Sequence, residues 1–133
     1  MSPATPVLTV LNFAAVGIGA ALGAWLRWLL ALALNHRLDW LPLGTLLVNL
    51  LGGFAIGVLV AYFEHHPGLA PHWRLFAITG FLGGMTTFSA FSAESMVLLQ
   101  RGDYGMALAH AGLHLVGSIA CCVAGYASLR ALG

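Results

Sequence analysis

Residues 80–95 read Gly-Phe-Leu-Gly-Gly-Met-Thr-Thr-Phe-Ser-Ala-Phe-Ser-Ala-Glu-Ser, and they lie inside an apolar run. From residue 75 to residue 99 the only charged side chain is Glu94, so the run is long and apolar enough to cross a bilayer. Its three glycines raise the cost of continuing an α-helix, and its two adjacent threonines carry hydroxyls that compete for backbone partners. Freed backbone groups are tolerated in hydrocarbon only where they are buried in protein or line a wet cavity. The stretch therefore predicts a helix that is broken at the membrane midplane, with a site at the break.

The composition predicts an all-α integral membrane protein. The chain has 133 residues, of which 60% are hydrophobic and 7% are charged, far from the values of a soluble domain. Four predicted transmembrane helices, at about 7–34, 41–63, 75–99 and 104–132, use nearly the whole length. Residues 1–133 are thus predicted to form a single transmembrane domain without a soluble catalytic part. We expect a function within the membrane, no enzymatic activity and no nucleic-acid partner.

The first helix carries a packing motif and a basic residue. Gly19 and Gly23 form a GxxxG motif, which lets a neighbouring backbone approach closely. Arg27 lies between Trp25 and Trp28 near the end of this helix, a pattern typical of an aromatic belt with an arginine that reaches the interface. The alternative is that Arg27 attracts anions at the mouth of a pore.

Asn49 lies in the middle of the second helix, with Thr45 one turn before it and Gly52 on the same face. An amide inside a membrane is expensive unless it bonds to another helix or to a ligand. Both interpretations, a link between helices and a ligand contact, are open at this stage.

The histidines invite a metal hypothesis. His110 and His114 are four residues apart on the fourth helix, a spacing at which two histidines can bind a metal. The acid that zinc proteases carry between such histidines is absent, so hydrogen bonding within the helix bundle is the favoured interpretation. His65 and His66 are adjacent, but no cysteine or suitably spaced carboxylate completes a ligand set.

The five arginines do not give the chain a clear orientation. The chain has no lysine, and four spans place two arginines on the side of the N-terminus and two or three on the other side. The positive-inside rule needs an excess on one side. We therefore expect dual topology, in which copies insert in both orientations and pair antiparallel. A two-fold axis in the membrane plane would then bring two helix breaks face to face, and their carbonyl oxygens suit a hard cation.

The third-helix motif resembles that of a known family. The pattern Gly80-x-x-Gly83-Gly84-x-Thr86-Thr87-Phe88-Ser89-x-Phe91-Ser92, together with Asn49 and the Gly-Ala-Trp-Leu-Arg-Trp segment ending at Trp28, resembles the CrcB/Fluc family of bacterial fluoride channels. The resemblance covers essentially the whole chain. Two positions differ from what the family leads us to expect: His114 stands where a small hydroxyl residue is expected, and Ala90 where threonine is common.

The resemblance implies a fluoride-selective channel that exports fluoride passively down its electrochemical gradient and protects the cell from fluoride toxicity. It implies a multi-pass protein of the bacterial inner membrane, embedded in lipid as an antiparallel dual-topology homodimer with two pores. A structural Na⁺ at the dimer centre would be held by the backbone carbonyls of Gly83 and Thr86. The fluoride-pore residues that it implies are Asn49, Phe88, Phe91, Thr87, Ser118, Glu94, His114 and Arg27.

These residue types suit a small, strongly hydrated anion. Amides and hydroxyls supply donors that replace its water, and the positive edge of a phenylalanine ring can face an anion. Two other function classes remain. A proton-coupled exporter of the small multidrug resistance type needs a membrane acid, and Glu94 lies late in the third helix for that role. A structural membrane subunit would not need a cluster of glycines and hydroxyls.

Overall fold

The computed structural model describes residues 8–133, and every regular element within them is helical. The elements are α1 (Val10–Leu34), α2 (Leu43–His65), α3 (Pro71–Arg74), a π-helix (Leu75–Leu82), α4 (Gly83–Met85), α5 (Phe88–Gln100) and α6 (Tyr104–Leu132). Four stretches are long and apolar enough to cross a membrane: α1, α2, Pro71–Gln100 and α6, named here the first to fourth spans. The predicted all-helical class with four spans is confirmed. Residue 7, the predicted start of the first helix, lies outside the described residues.

Local sequence sets several of the helix ends. The hydroxyl of Thr9 accepts a hydrogen bond from the amide of Asn12 at 3.1 Å and so caps α1. Pro71 begins the third span, where a missing backbone N–H costs nothing. Gly102 ends that span with φ +77°, the left-handed conformation that glycine adopts readily, and its amide donates to the carbonyl of Leu99 at 3.0 Å.

The first span packs against the beginning of the third span through glycines. A Cβ atom on Gly19 would lie 2.5 Å from the carbonyl oxygen of Phe76, and one on Gly23 would lie 2.7 Å from the amide nitrogen of Met85. Both glycines are buried, whereas Gly17 has nothing within 4 Å of its Cβ position. The predicted packing role of the Gly19/Gly23 motif is confirmed, because only glycine allows the two backbones to come this close.

The glycines of the third span lie where its α geometry is interrupted, and they also have a packing role. Gly80 lies in the π-helix, and Gly83 and Gly84 lie in the three-residue α4, which ends just before the extended Thr86. Gly80 contacts the backbone of Val16, and Gly84 contacts the backbone of Ala20. Two of the three glycines therefore serve close packing against the first span, and the extended backbone comes after them.

The second and fourth spans form the other closely packed pair. A Cβ atom on Gly53 would lie 2.6 Å from the carbonyl oxygen of Ser118, and Gly57 and Gly125 meet the backbones of Cys122 and Phe54 in the same way. This contact brings the middle of α2 next to the middle of α6. It is the reason that polar residues from two distant parts of the sequence meet.

Candidate functional site

The third span contains two extended residues, Thr86 and Thr87, which we name the threonine pair. Thr86 has φ −82° and ψ 157°, and Thr87 has φ −149° and ψ 118°. The hydroxyl of Thr87 accepts from the amide of Ala90 at 3.0 Å, so it caps the start of α5. The hydroxyl of Thr86 donates to the carbonyl of Leu82 at 2.8 Å. Extended backbone inside an apolar span leaves peptide groups that need partners from elsewhere.

Asn49 provides partners for both peptide groups of Thr87. Its Oδ1 accepts from the Thr87 amide at 2.8 Å, and its Nδ2 donates to the Thr87 carbonyl at 2.9 Å. The Asn49 side chain thus pairs with Thr87 as a neighbouring strand would. These two bonds fix which end of the amide is nitrogen, so the contact of Nδ2 with Nδ1 of His114 at 3.0 Å is a donation to the imidazole. Of the two sequence interpretations of Asn49, the link between helices is what the structure shows.

Arg27 contacts the third span just before the threonine pair. Its Nε donates to the carbonyl of Gly84 at 3.2 Å, which joins the first span to the end of α4. Gly83 begins α4, and Thr86 is the first extended residue after it. Their backbone carbonyls are the two that the resemblance implies for Na⁺, and carbonyl oxygens are suitable ligands for a hard cation.

A cavity of about 710 Å³ lies beside the threonine pair, between the second, third and fourth spans. Its wall includes six of the eight predicted pore residues, and also the two predicted Na⁺ residues: Asn49, Thr87, Phe88, Phe91, His114 and Ser118, with Gly83 and Thr86. The remaining two pore residues, Arg27 and Glu94, do not line it. The hydroxyl of Ser118 donates to the carbonyl of Asn49 at 3.4 Å. The wall is mostly apolar with a few polar groups, which is typical of a ligand site or ion path.

The two predicted pore phenylalanines form one aromatic surface. The rings of Phe88 and Phe91 are 5.4 Å apart at 47°, and Phe88 is 79% exposed in the single chain. Phe91 also contacts both histidines of the fourth span: its ring is 5.0 Å from that of His110 and 4.8 Å from that of His114. An aromatic surface thus runs from the cavity to the histidines.

Glu94 faces His110, a residue that the sequence did not assign to the site. Oε1 of Glu94 lies 3.1 Å from Nε2 of His110, and Oγ of Ser95 lies 3.2 Å from Nδ1 of the same ring. His110 is fully buried and His114 is 5% exposed. The spacing of the two histidines was the signal in the sequence for a cluster at this place. The carboxylate of the cluster comes from Glu94 on the third span, and no spacing within one helix could indicate that it lies beside the histidines.

The chain matches the model of a family described as "CrcB-like protein, Camphor Resistance (CrcB)" over residues 14–126. A protein of Cupriavidus pinatubonensis named "Fluoride-specific ion channel FluC" is 57% identical over 122 residues, which are 92% of this chain and 97% of that protein. Proteins with the same name from Bordetella pertussis and Cupriavidus metallidurans are 56% and 53% identical, each over 92% of this chain and over 94% and 97% of their own length. The chain belongs to the CrcB family.

Proposed function

We propose that this protein is a fluoride-specific ion channel of the bacterial inner membrane and not an enzyme. The observation that carries the proposal is the 57% identity, over 92% of the chain, to a relative named as a fluoride-specific channel. The membrane potential of a cell with a negative interior drives an anion outwards, so passive flow is enough to export fluoride and protect the cell.

The fluoride path that we propose follows the cavity wall. Ring edges of Phe88 and Phe91 face the anion with their positive rim, and the hydroxyls of Thr87 and Ser118 supply donors. Both N–H bonds of Asn49 are used, one by Thr87 and one by His114. Asn49 therefore shapes the path by holding the threonine pair, and it donates to the anion only if it releases the imidazole. Glu94, His114 and Arg27 complete the proposed set, with Arg27 contributing positive charge on the side of the first span.

Fluoride efflux from proteoliposomes, followed with a fluoride electrode, tests the proposal. We expect the parent to release fluoride when valinomycin sets the potential, and Phe88→Ile and Phe91→Ile to be slower by about tenfold. Loss of the ring edge removes ~1.4 kcal/mol of stabilisation, which corresponds to that factor. Phe13→Ile is the matched control, because Phe13 is 75% exposed on the first span, similar to the 79% of Phe88, and lies outside the cavity wall.

The same assay separates a channel from a proton-coupled exporter. A channel carries fluoride at a rate that an imposed proton gradient does not change, at fixed potential. If fluoride efflux required the proton gradient, the protein would be a proton-coupled exporter and the proposal of a channel would be wrong. If both phenylalanine variants conducted like the parent, the pore assignment would be wrong although the family is right.

We propose further that two copies pair antiparallel, with the threonine pair as the helix break at the membrane midplane. The exposed ring of Phe88 and the even distribution of arginines support this assembly. We expect a tag on the C-terminus to be accessible from both faces of the inner membrane in comparable amounts. Labelling of intact cells with an impermeant reagent measures this, and labelling from one face alone would exclude dual topology.

A Na⁺ ion at the centre of that dimer is the proposed cofactor. Gly83 and Thr86 would hold it through their backbone carbonyl oxygens, at the point where the third span leaves helical geometry. Bound Na⁺ would neutralise these dipoles where the two copies meet. Replacing sodium by choline should lower the thermal stability of the purified dimer, and equal stability in both salts would count against the ion.

A further inference from the structure

The proposed fluoride path gives no role to His110, which forms a buried cluster with Glu94 and His114, named here the Glu–His cluster. One ligand atom from each residue lies within 4.8 Å of the other two. His110 is fully buried, His114 is 5% exposed, and the side chain of Glu94 is 18% exposed. Glu94 comes from α5 and both histidines come from α6, so the cluster joins the third and fourth spans.

One tautomer of His110 directs a lone pair at Glu94. When the hydroxyl of Ser95 donates to the carbonyl of Phe91 at 2.9 Å, it accepts from Nδ1 of His110, which lies 3.2 Å away and carries the proton in this tautomer. Nε2 of a neutral His110 is then without a proton, and it lies 3.1 Å from Oε1 of Glu94. Two acceptors at this distance need a cation between them, either a proton or a metal ion.

His114 contributes a buried ring nitrogen without a hydrogen-bond partner. Among residues 8–133 its Nε2 is the one buried side-chain nitrogen or oxygen that has no hydrogen-bond partner. A buried polar atom without a partner is unfavourable, and native structures rarely leave one unsatisfied. His110 and His114 lie side by side, with ring centroids 4.6 Å apart.

We propose that the Glu–His cluster binds one divalent transition-metal cation, such as Zn²⁺ or Co²⁺. Two imidazoles and one carboxylate are a ligand set that such ions take, with a fourth position left for water. In a tetrahedral site with bonds of about 2.0–2.2 Å the ligand atoms lie about 3.4 Å apart, so a pair near the 4.8 Å limit of this cluster has to move closer when the ion binds. Ser95 holds the ring of His110 in the tautomer that exposes Nε2 to the ion, as a hydrogen-bonded residue behind a metal ligand does.

Metal binding at His114 is linked to Asn49. Nδ1 of His114 now accepts from Nδ2 of Asn49 at 3.0 Å, so Nε2 of the neutral ring carries the proton. A metal on Nε2 displaces that proton, and the ring then carries a proton on Nδ1. The donation from Asn49 is lost in that state. The bound cation therefore frees one N–H of Asn49 beside the cavity and adds positive charge close to Phe91.

Titration of the purified full-length chain with Co²⁺ tests the proposal, because tetrahedral Co²⁺ absorbs in the visible range. We expect one Co²⁺ per chain, displaced by Zn²⁺. His110→Ala and His114→Ala should each weaken binding by about tenfold or more, since even residues behind the ligands usually contribute that much. Glu94→Gln is the conservative variant, because glutamine keeps the size and one oxygen but removes the charge.

The double variant His65→Ala/His66→Ala is the matched control for binding at surface histidines. These rings lie at the end of α2, where their Nδ1 atoms contact the carbonyls of Ala61 and Tyr62. The control should keep the Co²⁺ absorption of the parent. Absence of the absorption in folded parent protein, or its loss in the control but not in His110→Ala, would overturn the proposal. The readout involves no fluoride, so its failure is distinct from failure of the channel function.

Discussion

Two kinds of contact hold the spans together, and they follow different physical rules. The first span meets the third through Gly19 and Gly23, where missing side chains let backbone approach backbone. The second span meets the third through Asn49, whose amide pairs with the extended backbone of Thr87. The glycine contact depends on shape alone, whereas the asparagine contact satisfies hydrogen bonds that the bilayer cannot satisfy. The difference teaches that the helical parts of the chain pack closely only where side chains are missing. The extended part instead needs hydrogen-bond partners from another span.

Removal of the Asn49 amide should have the larger effect. Asn49→Ala leaves the amide and the carbonyl of Thr87 without partners, and each unsatisfied buried group costs about 1–3 kcal/mol. We expect the free energy of unfolding to fall by about 2–6 kcal/mol. Circular dichroism of detergent-solubilised protein during denaturant titration measures this at fixed protein concentration.

Ser118→Ala is the control for that variant. Its hydroxyl contacts the carbonyl of Asn49 at 3.4 Å, a long hydrogen bond at the edge of the same contact. We expect a change of about 0.5 kcal/mol or less. If Ser118→Ala and Asn49→Ala were equally destabilised, the pairing of Asn49 with Thr87 would not be what holds the second and third spans together.

A methyl group in the glycine contact should have the smaller effect. In Gly23→Ala the new Cβ meets the backbones of Phe81 and Met85, so the first span must move away. We expect a loss of about 1–3 kcal/mol, the usual range for overpacking. Gly17→Ala, on the same helix with nothing within 4 Å, should instead be neutral or stabilised by up to about 1 kcal/mol.

Unfolding of both variants under the same conditions measures the difference. Equal stability of Gly23→Ala and Gly17→Ala would show that the two backbones are not in close contact. A loss in Gly23→Ala greater than that in Asn49→Ala would reverse the order of the two contacts and make shape the stronger constraint.

The sequence was informative where the role of a residue follows from the length, composition or spacing of residues within a single helix. Apolar length predicted four spans, and the spacing of Gly19 and Gly23 predicted a packing face, because both follow from helix geometry. Gly80 and Gly84 have a second role that the sequence did not reveal, since local propensity says only that glycine weakens a helix, while the packed structure also uses it for contact with the first span. The resemblance supplied the pore residues, and six of its eight lie on one cavity wall.

What the sequence by itself determined is the helical class, the number of spans and the presence of a polar segment in the third. These follow from the bilayer, which demands apolar length and internally satisfied backbone. Only the tertiary structure decided that Asn49 pairs with Thr87, that Arg27 binds the carbonyl of Gly84, and that Glu94 faces His110. Each joins residues of different spans, and such pairs depend on how helices rotate and approach one another. No pattern within a single helix encodes that arrangement.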